Sequence, residues 1–212
     1  MSLTSSKTYT QKDIIPGFNN FGNDFEKVIN SGIWSEVQND FNFCSRILTV
    51  GNGGNLAVCD HGSIDIARLT NKSASAPGSG ILASSLINDT SHDDWVKNWL
   101  SISIRGMSDE LISRTMLIGV SSSGYSKNIC SALDLALEKG CKACLISATK
   151  PKISGDYNTV ILGVDEYHTS EVLTLSLFYQ LIHAAGFKCP TISDSTKRNV
   201  IDDYQYWYFF LK

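Results

Sequence analysis

Apolar positions along the chain switch between two spacings. In "GNDFEKVINSGIWSEVQNDFN" (residues 22–42), Phe25, Val28, Ile29, Ile33, Val37 and Phe41 recur at helical intervals, which predicts one or two amphipathic helices. "RILTVGN" (46–52) is a compact apolar run closing on glycine, the pattern of a buried strand that leaves a sheet into a loop. A helix follows to about Leu69. The alternation then repeats, with a strand over 80–86 ("GILASSL"), a helix over 90–107 carrying Trp95 and Trp99 on one side, and a strand over 115–120 ("TMLIGV"). Next come a helix over 127–140 closed by Gly140, strands over 142–148 and 158–164, and a helix over 170–186 closed by Gly186. Strands that are almost wholly apolar and alternate with helices predict an α/β three-layer sandwich, a mainly parallel five-stranded sheet flanked by helices. Such sheets bind ligands beyond the carboxyl ends of their strands, near the point where strand order reverses.

Composition narrows the class. A chain of 212 residues with 42% hydrophobic and 18% charged residues suits one folded α/β domain rather than a disordered chain. A net charge of −3 and a pI near 5.8 argue against nucleic acid or an acidic membrane as partner. No apolar run approaches 18 residues and the opening residues are polar, so a cytoplasmic protein with no membrane span is expected. Six cysteines lie mostly within apolar patterns, where a free thiol packs as a small hydrophobe. Cys141 and Cys144 form a single C-x-x-C with no second pair, and read as buried thiols at a helix-to-strand junction. The expected organisation is an N-terminal arm (1–21), a single domain (22–188) and a C-terminal extension (189–212). That extension holds six aromatics within residues 204–210, which pack either on their own domain or against another subunit.

Two loops carry the candidate chemistry. In "GNGGNLAVCDHGSIDIARLTNK" (51–72) three glycines in four residues feed a helix on which His61 and Asp65 stand one turn apart. In "GVSSSGYSKN" (119–128) four serines and a glycine link the clearest strand to a helix, offering hydroxyls and backbone N–H groups above the positive end of a helix dipole. A phosphate monoester fits that loop. A Walker loop does not, because Gly-Lys-Ser/Thr is missing, and neither does a dinucleotide fingerprint. One serine would suffice as a helix cap, with Ser126 or Ser123 the natural choice, so four favour an anion site.

These strings, "VGNGGN…DHGSID", "IGVSSSGYSKNI" and a later helix opening with "SE", resemble the sugar isomerase (SIS) domain, and within it the phosphoheptose isomerases, with strings GNGGSA…HF…EL and GISTSGNS. The resemblance runs from about Asp24 to Gly186, and "NDTSHDDWVKNWL" (88–100) echoes a further helix of that family. It implies a flavodoxin-like sheet and a homo-oligomer, tetramer or dimer. It also implies a sugar-phosphate ligand, with conversion of sedoheptulose 7-phosphate to D-glycero-D-manno-heptose 7-phosphate. By position, Ser121, Ser122, Ser123 and Ser126 would hold the phosphate. Gly53 and Gly54 would let the backbone approach the sugar, Asn52 would add a polar contact, and Asn55 stands where the family has serine.

Aldose–ketose isomerisation moves a proton between adjacent carbons through an enediol and needs a base and a partner. The family supplies these, and a zinc site, from H-x-x-x-E on one helix and Q-E-x-H-x-x-x-x-H on another. Here the first pair is His61 and Asp65, an acid one methylene shorter, which the resemblance makes partner and base. On the second helix Ser170, Leu173 and Phe178 replace Gln and both His, while His183 and His168 fall out of register. Two of four ligand positions are lost and one is altered. Zinc wants three or four protein ligands, so a metal-independent site is expected. Two readings stay open: a diverged isomerase, and a sugar-phosphate-sensing or protein-binding SIS module without turnover.

Overall fold

A computed structural model describes residues 13–78, 80–153 and 155–192. Five strands, β1 (Arg46–Gly51), β2 (Ser73–Ser75), β3 (Thr115–Val120), β4 (Lys142–Ser147) and β5 (Asn158–Ile161), pair entirely in parallel in the order β2-β1-β3-β4-β5. The order reverses between β1 and β3, and β1 and β3 stay in register from Arg46↔Thr115 to Gly51↔Val120. Both glycine/serine loops therefore leave the sheet side by side at its switch point.

Side-chain alternation along the strands builds two cores. Ile47, Met116, Ile118, Cys144 and Ile146 face one layer, which comprises α1 (Phe21–Ile29), α2 (Gly32–Phe43), α3 (Gly54–Leu69) and α8 (Tyr167–Ala184). Leu48, Val50, Leu117, Ala143 and Leu145 face the other, built from α4 (Gly80–Asp89), α5 (Trp95–Ser103), α6 (Asp109–Ser113) and α7 (Lys127–Glu138). Trp95, Trp99 and Leu100 of α5 fill the second core as the helical spacing predicts. In the first, α2 buries Trp34, Val37 and Phe41 below an N-cap in which the Ser31 hydroxyl accepts from the Trp34 amide.

One expected strand is a helix. Residues 80–86 open α4, and Leu82, Ala83 and Leu86 pack on the second core at helical spacing. A run of seven mostly apolar residues does not distinguish the two forms by periodicity alone. The edge place belongs instead to Ser73–Ser75, three small residues that carry no hydrophobic signal. The expected helix over 90–107 shortens to α5.

Cys141 and Cys144 are buried, but they lie in different cores on opposite faces of the sheet, so they cannot bridge. Burial pushes the Cys141 thiol up to about 11 and raises that of Cys144 as well. Residues 193–212, which include the aromatic cluster, lie outside the described residues.

Lys72 ties the first layer to the sheet edge. Its buried ammonium donates to the carbonyl of Cys44 at 2.6 Å and of Asn42 at 3.3 Å, and lies 4.9 Å above the Phe41 ring. It thus serves the C-terminal carbonyls of α2, where a cation also complements the helix dipole. Lys72→Met leaves those carbonyls unserved, and a loss of about 1–3 kcal/mol in urea unfolding with unchanged m-value is expected.

Candidate functional site

The loop after β1 needs its glycines for separate reasons. Gly53 has φ +57°, a left-handed conformation that side chains disfavour. A Cβ on Gly54 would collide with the Glu171 carboxylate of α8, which thereby sits against the N-terminal end of α3. Asn52 exchanges two amide hydrogen bonds with Asn128 at the start of α7, of 2.9 and 3.1 Å. This pair locks the two loops together across the switch point.

In the serine loop the hydroxyls divide their work. Ser121 donates to Ser126 at 2.9 Å, and Ser126 occupies the N-cap position of α7 without a side-chain cap bond. The Ser122 hydroxyl turns inward, 3.0 Å from the Asn55 amide nitrogen and 3.0 Å from the Ser170 hydroxyl, in a buried network joining the loop to α3 and α8. Ser123 is the exposed one and accepts from the Tyr125 amide. Gly124 turns the loop with φ +61°, where a Cβ would also collide with Pro151 and the Ser147 hydroxyl. The backbone N–H groups of Ser122, Ser123, Lys127 and Asn128 donate to no acceptor among the described residues. They lie at the N-terminus of a 12-residue helix, the arrangement that receives anions. A cleft opens beside Ser122 and Ser123, lined also by Ala148 and Thr149 after β4 and by Asp165, Glu166 and Tyr167 at the start of α8.

Farther along the α3–α8 seam, Gly62 has no Cβ because the Phe178 ring rests on it. Past that contact, His61 and Asp65 meet Tyr179. Nε2 of His61 is 3.2 Å from Oδ2 of Asp65, and the Tyr179 hydroxyl donates to that same oxygen at 2.6 Å. The hydroxyl is also 3.2 Å from Nε2, and Arg68 reaches Oδ1 at 3.4 Å. The bond to Asp65 first, and burial second, push the Tyr179 phenol up to about 12. Sequence patterns gave no sign of Tyr179, because a tyrosine within an apolar helix face matches no motif.

The remaining imidazoles are placed elsewhere. His168 lies 2.8 Å from the Pro16 carbonyl and stacks on Phe18, His183 is exposed at the end of α8, and His92 pairs with Asp93. At two positions where the resemblance puts metal ligands, Phe178 rests its ring on Gly62 and Ser170 shares a hydrogen bond with the Ser122 hydroxyl. Among the described residues no three His, Cys, Asp or Glu side chains are grouped to hold a metal. No described helix is long and apolar enough to cross a membrane.

No protein-family model and no curated protein matches the sequence. Solved structures do match. The phosphoheptose isomerase of Neisseria gonorrhoeae superposes with TM-score 0.65 at 15% identity, covering 79% of this chain and 91% of that one. That of Francisella tularensis gives 0.64 at 14%, covering 79% and 93%. The NanR protein of Vibrio vulnificus, complexed with ManNAc-6P, gives 0.55 at 15%, with 77% of this chain covered and 57% of that one. The fold is therefore an α/β sandwich of the sugar isomerase type. In outline it is similar to those two phosphoheptose isomerases.

Two measurements check this geometry. Gly62→Ala forces a Cβ into the Phe178 ring and is expected to cost about 1–3 kcal/mol, a loss that Phe178→Leu in the same chain partly restores. In alkaline difference spectra against Tyr179→Phe, the Tyr179 phenol should titrate near 12 and fall back toward its ordinary value in Asp65→Asn. A phenol held above its unfolded value contributes stability below about pH 10 that fades as pH rises toward 12.

Proposed function

We propose that the chain binds an open-chain sugar phosphate and interconverts its ketose and aldose forms through an enediol. The observation that carries this reading is the set of unpaired N–H groups of Ser122, Ser123, Lys127 and Asn128 around the N-terminus of α7, the first two lining the cleft, which suits a phosphate held by charge-assisted hydrogen bonds. Ser123 supplies a hydroxyl, while Ser121, Ser122 and Ser126 shape the loop through their mutual contacts. Gly53, Gly54, Asn52 and Asn55 bring the α3 end of the site against it.

The hydrogen-bonded His61/Asp65 pair is the seat of proton transfer. His61 follows Gly54 by seven residues on the same face of α3, roughly 10 Å along the axis at 1.5 Å per residue. That separation suits a sugar phosphorylated at the end remote from its carbonyl. Sedoheptulose 7-phosphate, going to D-glycero-D-manno-heptose 7-phosphate, is the substrate the resemblance favours. The solved relatives are consistent with this class, since two are phosphoheptose isomerases and one holds ManNAc-6P.

A second reading has its own support. Phe178 packed on Gly62 and Ser170 bonded to Ser122 leave a site with fewer proton-transfer groups, as a binding module would have. One experiment separates the two: incubation with sedoheptulose 7-phosphate and a panel of ketose phosphates in D₂O, followed at C1 and C2 by NMR beside thermal-shift measurements. Deuterium at C1 or C2 is the expected result. A thermal shift without exchange would favour the binding module, and neither signal would remove sugar phosphates as ligands.

A further inference from the structure

We infer that the proton carrier of this site is His61, acting through Nδ1, and that Asp65 and Tyr179 are positioning residues that hold it. The inference rests on the isomerase reading and assigns the labour within the same cluster. Burial separates the two members of the pair: the His61 side chain is 56% exposed and the Asp65 side chain 12%. Both Asp65 oxygens are engaged from within the protein, Oδ2 by Tyr179 and His61, Oδ1 by Arg68. A carboxylate so occupied does not present itself to a substrate.

His61 is the converse case. Its Nε2 faces the Asp65 carboxylate, which fixes the N–H on that atom and leaves Nδ1 as the acceptor. Nδ1 has no hydrogen-bond partner among the described residues. Tyr179 completes the support. Its hydroxyl bonds Asp65, and its ring meets the imidazole edge-on, with centroids 6.4 Å apart at 82°. The ring is thus fixed on two sides, as a base oriented by a third group requires.

The proton balance closes without another reactant. Nδ1 takes the proton from C1 of the ketose, the C–H pair forms the C1=C2 bond, and the carbonyl pair moves onto O2. The O1 proton passes to O2. The imidazolium then returns its proton to C2 as the O1 pair restores a carbonyl at C1, leaving the aldose and a neutral His61.

Exchange into sedoheptulose 7-phosphate in D₂O tests the assignment, with full-length wild type, His61→Ala, Asp65→Asn and Tyr179→Phe. His61→Ala is expected to lose about a hundredfold or more in rate, part of it restored by added imidazole. Asp65→Asn and Tyr179→Phe should retain exchange, with kcat lower by roughly ten- to a hundredfold and KM unchanged. The assignment is overturned by exchange lost in Asp65→Asn yet kept in His61→Ala, by no restoration with imidazole, or by a wild-type rate in Tyr179→Phe. Each of those leaves the isomerase reading standing. No exchange by the wild-type protein with this or any ketose phosphate overturns both.

Discussion

The close approach of α3 to α8 is the constraint on which the site depends. Two residues of α3 lacking a Cβ, Gly54 and Gly62, admit the Glu171 carboxylate and the Phe178 ring into the surface of the helix. Interiors are packed too densely to absorb an extra methyl at such places without displacing something. With the seam closed, Ser170 comes within reach of Ser122 at one end and Tyr179 within reach of Asp65 at the other. The serine loop and the His61–Asp65–Tyr179 cluster are thus fixed relative to each other by one helix contact.

The proposed ligand site and the proposed proton-transfer cluster sit on different kinds of structure. The unpaired amides of Ser122 and Ser123 belong to a loop and those of Lys127 and Asn128 to the first turn of α7; the loop is held by strand β3, by the Asn52–Asn128 pair and by the buried Ser122 network, so these donors are set in place by the fold itself. The acid–base cluster lies wholly on two helices. Preorganised donors of this kind cost little rearrangement on binding, so under the proposed function the loop would hold a phosphate without a lysine of the Walker type.

Much of the fold was legible in the sequence because its central strands are apolar on both faces and end in glycine or serine. The edge strand escaped notice for the opposite reason, since Ser73–Ser75 needs no hydrophobic face to pair along one side of β1. "GILASSL" misled because its leucines suit either periodicity, and only packing on α5 decides between them. At the site, the loops and the His61/Asp65 pair could be read from spacing. The inward turn of Ser122 and the arrival of Tyr179 could not, because each depends on a partner more than forty residues away in sequence.

The position of the cysteines sets how the chain responds to oxidants. Cys44, Cys59, Cys141 and Cys144 are all buried and held as protonated thiols, and the sheet stands as a wall between the two members of the C-x-x-C. A thiol that is neither ionised nor reachable is a poor nucleophile towards peroxide or disulfide. In the folded chain these four sulfurs are therefore poor targets for oxidation, set apart from solvent by the same packing that builds the two cores.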